Sequence, residues 1–272
     1  MVGIRVKGLN QYGDGKCGFG SVYLATPKIS RSRYNYYPSI MTVKSVEFSA
    51  STSIQKEIMV FSDLQGCPDY IITCYGEETT IGDNDLMAFN LLLEYASGGT
   101  LSDRIKKSGG SGLPEFEAKE YTMSILRGLD HIHTTGYVHC DLKPDNILLV
   151  RTPNDNNEFQ AKIGDFGLAK RAEVQSKKRR LDPYWRGTPM YLSPEAVIDR
   201  VQEAPCDNWA HTNIYSKNWK FGIDKKGRSI EQEEEIGAIL EGQKSKSHRL
   251  RPQNHTRIGE LLKDILQLIY PA

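Results

Sequence analysis

The sequence predicts an α+β fold of two lobes, a β-rich front and a mainly helical back with a cleft between them. Two patterns carry this reading. The front holds β-branched and aromatic runs such as "FGSVYLA", "SIMTVKSVEF" and "LMAFNLLLEYA", whereas apolar residues at helical spacing dominate from Pro114 to Thr135. A third observation points to chemistry: "HTTGYVHCDLKPDNILL" (His133 to Leu149) sets Asp141, Lys143 and Asn146 in an apolar frame. The chain has 272 residues, enough for two lobes each with its own core.

Composition narrows the classes. Hydrophobic content of 39% and charged content of 25% are ordinary for a globular protein. A net charge of +1 gives no global field toward nucleic acid or an anionic membrane. No apolar run approaches the ~18 residues that span a bilayer. "MVGIRVKGLN" has no apolar signal core, and Val2 excludes N-myristoylation. Five cysteines (Cys17, Cys67, Cys74, Cys140 and Cys206) with no CxxC spacing predict free thiols and a reducing, cytoplasmic compartment. "KKRR" at 177–180 fits a nuclear-localisation or a substrate-docking patch, although such a run is more often an exposed charged surface.

Taken in order, residues 1–48 read as strands and turns, with four glycines in the eight residues from Gly13 to Gly20. "TSIQKEIMVFSDLQG" reads as a helix, because Ile54, Ile58, Phe61 and Leu64 recur at helical spacing before Gly66. "DYIITCYGEET" and "LMAFNLLLEYA" read as strands, after which "SGGTL" breaks the pattern. The helix from Pro114 carries Tyr121, Ile125, Leu129 and Ile132 on one face and ends at Gly136. "YVHCDLKPDNILLV" and "AKIGDFGLAK" supply strands around the polar turn "RTPNDNNEFQ". Residues 170–190 are basic and loop-like, and a further helix begins within 191–204.

The polar residues fit one chemistry. Gly15, Gly18 and Gly20 form a loop whose backbone N–H groups can approach phosphate oxygens without a Cβ clash. Most Gly-rich hairpins bind nothing. This one is neither a P-loop, since no Gly-Lys-Ser/Thr follows, nor a dinucleotide fingerprint, since a strand follows it. Lys44 stands in the apolar strand "MTVKSV". Alone it would be an edge charge, but Glu57, thirteen residues on, shares the apolar side of the helix closely enough to meet it. A Lys–Glu pair holds an ammonium over a phosphate. Asp141 can accept or orient a hydroxyl proton, Lys143 can neutralise a transferring phosphoryl group, and the amide oxygen of Asn146 suits Mg2+. Each alone is an ordinary loop residue; all three at these offsets are not. In "GDFG" at 164–167, Asp165 offers a second Mg2+ ligand.

Together these motifs resemble a eukaryotic protein kinase domain. The Gly-rich loop, strand Lys, helix Glu, H-x-D-x-K-x-x-N loop, DFG and "GTPMYLSPE" follow in order over roughly residues 3–210. "DLKPDN" and "GTPMY" resemble Ser/Thr rather than Tyr kinases, and "LLLEYASGGTL", "HTTGYVHCDLK" and "GTPMYLSPEAV" are similar to plant mitogen-activated protein kinase kinase kinases. The resemblance implies that Gly15, Gly18, Gly20 and Val22 cover ATP, with Val22 on the adenine. It implies that Lys44 bridges the α- and β-phosphates, and that Glu94 and Ala96 offer hinge backbone groups behind a gatekeeper, Leu93. Asp141 would orient the substrate hydroxyl, Lys143 steady the γ-phosphate, Asn146 and Asp165 hold Mg2+, and Thr188 position substrate and Lys143. His139 and Phe166 would stack beneath the site. ATP and Mg2+ are thus the implied cofactors and a protein, a MAP kinase kinase, the implied partner, with no nucleic acid or membrane.

The sequence also departs from the family. Cys17 takes the place of the second glycine, and Thr42 replaces an Ala two residues before Lys44. Cys140 replaces the Arg that, in kinases possessing it, pairs with a phosphorylated activation-loop residue. No such clamp is expected here, and a small packing residue is the commoner role for the Cys. Asp207 is expected to brace the backbone around His139, and Glu195 to find an Arg partner in Arg251 or Arg257. Beyond Ala210 the text is polar until "RIGELLKDILQLIY" (257–270), so the helical lobe is expected to be incomplete at its base. The domains are an N-lobe (1–96), a C-lobe core (97–210) and an atypical segment (211–272), for which folding, partner binding and disorder all stay open. The function expected is protein serine/threonine kinase signalling. The alternative is a nucleotide-binding, catalytically impaired scaffold or competitor. A nucleic-acid module reading through "KKRR" is disfavoured by the near-neutral charge and the lack of interleaved aromatics.

Overall fold

Strand-forming residues of the front build one antiparallel sheet: β1 (Ile4–Lys7), β2 (Ser21–Pro27), β3 (Met41–Glu47), β4 (Cys74–Ile81) and β5 (Met87–Leu93), in the order β1-β2-β3-β5-β4. The computed structural model describes residues 4–7, 20–27, 37–48, 51–64, 66–67, 69–81, 87–152, 158–172 and 186–218. Alternation along β3 divides the sheet's two faces. Met41 and Val43 cluster with Ala25 and Leu92 on one face, and Val46 joins the larger core on the other. Lys44 shares the face of Val46 and lies opposite Val22 and Leu91 on its neighbouring strands. Just before β2, Gly20 (φ +145°) presses on β3, and a Cβ there would lie 2.4 Å from the Ser45 carbonyl oxygen.

Helix α1 (Thr52–Asp63) covers that face and buries Ile54, Glu57, Val60 and Phe61. The strand expected from Asp69 starts instead at Cys74. Residues 70–72 leave the front sheet and cross to the back lobe, with Ile72 N–H donating to the Ile163 carbonyl and Ile163 N–H to that of Tyr70, both at 2.9 Å.

The back lobe contains α2 (Leu101–Lys107), α3 (Glu115–Thr134), β6 (Tyr137–Val138), β7 (Ile147–Arg151), β8 (Phe159–Ile163), β9 (Lys170–Arg171), α4 (Pro194–Ile198) and α5 (Ala204–Asn218). Periodicity does not reveal α2, which is too short; its signal is a capping box, in which Thr100 and Asp103 satisfy each other's backbone N–H. Helix α3 buries Tyr121, Ile125, Leu129 and Ile132, the face read from the sequence, and Pro114 is its N-cap. Strands β7 and β8 form the expected hairpin. The helix expected within 191–204 is divided: Ser193 caps the short α4, and α5 begins only at Ala204. The boundary drawn at residue 210 falls inside α5. One apolar cluster, including Val46, Ile54 and Phe61 from the front and Leu129, Ile147 and Phe166 from the back, continues across both lobes. No described helix is long and apolar enough to cross a membrane.

Helix α5 buries polar residues. Asp207, His211 and Asn213 lie inside beside Ala210 and Ile214. Neither ring nitrogen of His211 has a hydrogen-bond partner among the described residues. Loss of hydration disfavours its charged form and lowers its pKa to about 4. Between that value and the ordinary one near 6.5, the unfolded chain binds a proton that the folded chain does not. Stability therefore falls as pH drops through this window and levels off below it. We expect chemical denaturation to show a loss of about 2 kcal/mol between pH 7.5 and pH 5 that His211→Leu abolishes; equal losses in both proteins would contradict a neutral, buried imidazole.

Candidate active site

Three charged side chains from three parts of the chain meet on the inner face of the front sheet. Lys44 on β3 lies 2.7 Å from Glu57 Oε2 on α1 and 2.8 Å from Asp165 Oδ1, just beyond β8. The other Glu57 oxygen accepts the Phe166 N–H at 3.1 Å, so one buried carboxylate holds both the ammonium and the turn that follows β8. Burial opposes the charge on Lys44, but Glu57 and Asp165 outweigh it and raise the ammonium's pKa. Burial likewise works against the Asp165 carboxylate, yet Lys44 wins and holds its pKa below the ordinary value. For Glu57 burial dominates over Lys44 and pushes the carboxyl up.

A second set gathers on Asp141. Oδ1 accepts the N–H and hydroxyl of Thr188, each at 2.8 Å. Oδ2 accepts Lys143 Nζ at 2.9 Å and Asn146 Nδ2 at 3.2 Å. Lys143 also donates to Thr188 Oγ1 at 2.9 Å, and Asn146 to the Asp141 carbonyl at 2.8 Å. Four donors on one carboxylate use all its lone-pair sites and fix its plane. The Gly164 N–H donates to the Asn146 carbonyl at 2.9 Å, which ties the Asp165 turn to the same loop.

Both sets rest on a buried support. Phe166 is fully enclosed, edge-on to Phe61 of α1 (5.0 Å between centroids) and tilted against His139 (5.1 Å). Asp207 at the start of α5 accepts the N–H of His139 (2.8 Å) and of Cys140 (2.9 Å), and lies 2.9 Å from His133 Nε2. Between those N–H groups and Asp141, Cys140 adopts a left-handed backbone (φ +66°) and is buried, with Sγ toward the Val138 carbonyl. Burial, and then Asp207, push its thiol far above the ordinary range, so it is a packing group and not a nucleophile. A small, partly open pocket lies beside it, lined by Asp141, Thr188, Ser193, Gln202 and Cys206 among others.

Of the residues read from the sequence, Lys44, Glu57 and Asp165 come together, as do Asp141, Lys143, Asn146 and Thr188. Gly20 and Val22 lie on the sheet above them, Val22 partly exposed opposite Lys44. Gly15, Gly18 and Cys17 lie outside the described residues, as do "KKRR", Arg251 and Arg257. Leu93 is buried at the end of β5. The Ala96 carbonyl accepts the Gly99 N–H at 3.1 Å. Glu94 does more than the sequence implied: its carboxylate takes Lys162 Nζ at 2.9 Å on each oxygen and the Thr73 N–H at 3.1 Å. Lys162 is buried in an apolar strand, the pattern that exposed Lys44, and could have been found by it. A further cluster was missed. Asp63 at the end of α1 accepts the Tyr137 hydroxyl at 2.7 Å and pairs with Arg171, whose guanidinium lies 4.4 Å over the Tyr137 ring. His131 Nε2 lies 3.2 Å from the carbonyl of the next residue, Leu64. These long-range polar contacts leave no local sequence signature.

Comparison with known proteins agrees with this geometry. The family model for the protein kinase domain matches residues 9–268, and the chain belongs to that family. It is 41% identical over 193 residues to mitogen-activated protein kinase kinase kinase 20 of Arabidopsis thaliana, covering 71% of this chain and 54% of that one. Similarity to mitogen-activated protein kinase kinase kinase 17 of the same plant is 37% over 175 residues, 63% of this chain and 42% of the other. Similarity to serine/threonine-protein kinase grp of Drosophila melanogaster is 35% over 161 residues, 59% of this chain and 28% of the other. The chain spans about half the length of the plant relatives it matches.

Two outcomes follow from the support beneath the loop. Asp207→Ala strands two buried N–H groups and should lower unfolding free energy by about 3 kcal/mol in denaturant titrations. Iodoacetamide applied to the native protein should alkylate Cys67 and Cys74, which are half-buried, well ahead of buried Cys140 and Cys206 in peptide mass spectra. Early labelling of Cys140 would contradict its packing role.

Proposed function

We propose that the chain is a protein serine/threonine kinase that transfers the γ-phosphoryl group of ATP to a protein hydroxyl. The observation that carries this is the pair of constellations joined through the Gly164–Asn146 backbone bond: Lys44 held between two carboxylates, and Asp141 held by Thr188, Lys143 and Asn146. Hard oxygen donors on Asn146 and Asp165, whose segments are joined by the Gly164–Asn146 bond, suit Mg2+. Among the described residues no cluster of three or more His, Cys, Asp or Glu offers a different metal site. The metal, when bound, neutralises charge on the phosphates. The chain's own groups do the rest by position and charge. Lys44 presents a fixed cation to the phosphates. Asp141 orients the acceptor hydroxyl and receives its proton late in the transfer. With four donors already on it, Asp141 must release one to admit a hydroxyl. Lys143, whose side chain is 23% exposed, turns from Oδ2 toward the γ-phosphate.

Similarity to plant proteins named mitogen-activated protein kinase kinase kinases supports a MAP kinase kinase as the substrate, and free thiols support a cytoplasmic place of action. The test is transfer of ³²P from Mg-ATP to a basic protein and to a MAP kinase kinase. The parent should label both, and Lys44→Met and Asp165→Asn should each reduce labelling at least ~100-fold. Equal background in all three, with a thermal shift on adding Mg-ATP, would favour a nucleotide-binding scaffold instead.

A further inference from the structure

The phosphotransfer reading gives Gln202 and Glu203 no task, yet they touch both segments that flank residues 173–185. Gln202 is 2% exposed. Its side-chain amide pairs with a single residue's backbone: the Arg186 N–H donates to Oε1 at 3.1 Å, and Nε2 donates to the Arg186 carbonyl at 2.8 Å. This reciprocal pair imitates a neighbouring strand and fixes the backbone at Arg186. The next residue, Gly187, has φ +99°, and a Cβ there would lie 2.2 Å from the Cys140 carbonyl oxygen. Thr188 follows and places two donors on Asp141. A short, stiff path therefore runs from the Gln202 amide to the Asp141 carboxylate.

Glu203 holds the other side. Its carboxylate lies 3.4 Å from Lys170 Nζ. Lys170 is paired in the β6–β9 ladder with Val138, one residue before His139. Position 140, between these two anchors, carries a buried thiol and supplies no cation. The loop bearing Gln202 and Glu203 leads directly into α5, whose Asp207 grips the backbone of His139 and Cys140.

We propose that Gln202 and Glu203 are positioning residues for the transfer: they hold the Arg186 and Lys170 ends of the segment so that Thr188 keeps Asp141 in its productive plane. The inference rests on the kinase reading of the site. Its test uses the full chain with Mg-ATP and a basic protein acceptor. Gln202→Ala should lower kcat about 10- to 100-fold, while the KM for ATP and the thermal shift with Mg-ATP stay at parent values. Gln202→Glu, which still accepts from the Arg186 N–H but cannot donate to its carbonyl, should fall between. Glu203→Lys should lower kcat, and adding Lys170→Glu should restore most of it. Unchanged kcat in Gln202→Ala and Glu203→Lys overturns the proposal. So does a fall in kcat accompanied by equal losses of melting temperature and Mg-ATP binding, since that describes a merely structural role. Hydrogen exchange separates this inference from the reading beneath it. Gln202→Ala should speed amide exchange at Arg186 to Thr188 and leave α3 untouched. A parent with no transfer above an Asp141→Asn control sinks the kinase reading, whereas unchanged exchange at those amides sinks the positioning role.

Discussion

The carboxylate of Asp207 is the point on which the geometry of the site hangs. It is 1% exposed, and a polar group so enclosed is tolerated only when it is hydrogen-bonded. Here the N–H groups of His139 and Cys140 and the ring of His133 supply three contacts. The two N–H groups belong to the turn that ends in Asp141, so the position of the Asp141 carboxylate is set from below, by α5. Cys140 accepts a left-handed backbone in this turn, a conformation costing a residue with a Cβ on the order of 1 kcal/mol. Asp207 and the close fit of Gly187 against the Cys140 carbonyl hold it there.

Charge is managed differently above the loop. Glu57 and Lys44 are both buried, and each would be costly alone. They are tolerated because Asp165 and the Phe166 N–H complete their shells, so the turn after β8 supports the ion pair. The charged site and the Phe61–Phe166–His139 stack are consequently one assembly. A displacement of α1 would disturb both the Lys44 ammonium and the packing beneath the Asp141 loop.

The sequence made a large part of this legible. Glu57 could be assigned to Lys44 because the helical period of Ile54, Ile58 and Phe61 put it on the face that packs on the sheet. The Asp141, Lys143 and Asn146 set stood out because charge is rare between apolar residues. The hairpin of β7 and β8 showed as two strand-like runs around a polar turn. What was hidden has physical reasons. Helix α2 is seven residues long, too short to display a period, and only its capping box betrays it. Residues 70–72 are strand-forming in type but spend their hydrogen bonds on β8, a choice made by tertiary packing. Gln202 and Asp63 act through partners 16 and 108 residues away, and nothing local marks them. The break between α4 and α5 was likewise invisible to periodicity, since the intervening Arg200 takes a positive φ without being glycine.

The anchoring of α1 has a mechanical consequence. Its C-terminal end is pinned by Asp63 and by the Leu64 carbonyl to Tyr137, Arg171 and His131, whereas Ser51 at its N-terminal end makes no side-chain capping bond. The helix is thus a lever with its fulcrum at Asp63. Glu57 sits six residues up the arm, or about 9 Å at the helical rise. A swing of only about 20° then carries its carboxylate roughly 3 Å, more than the length of the contact to Lys44. Such a displacement would part Glu57 from Lys44 and from the Phe166 N–H together, with the contacts at Asp63 left in place.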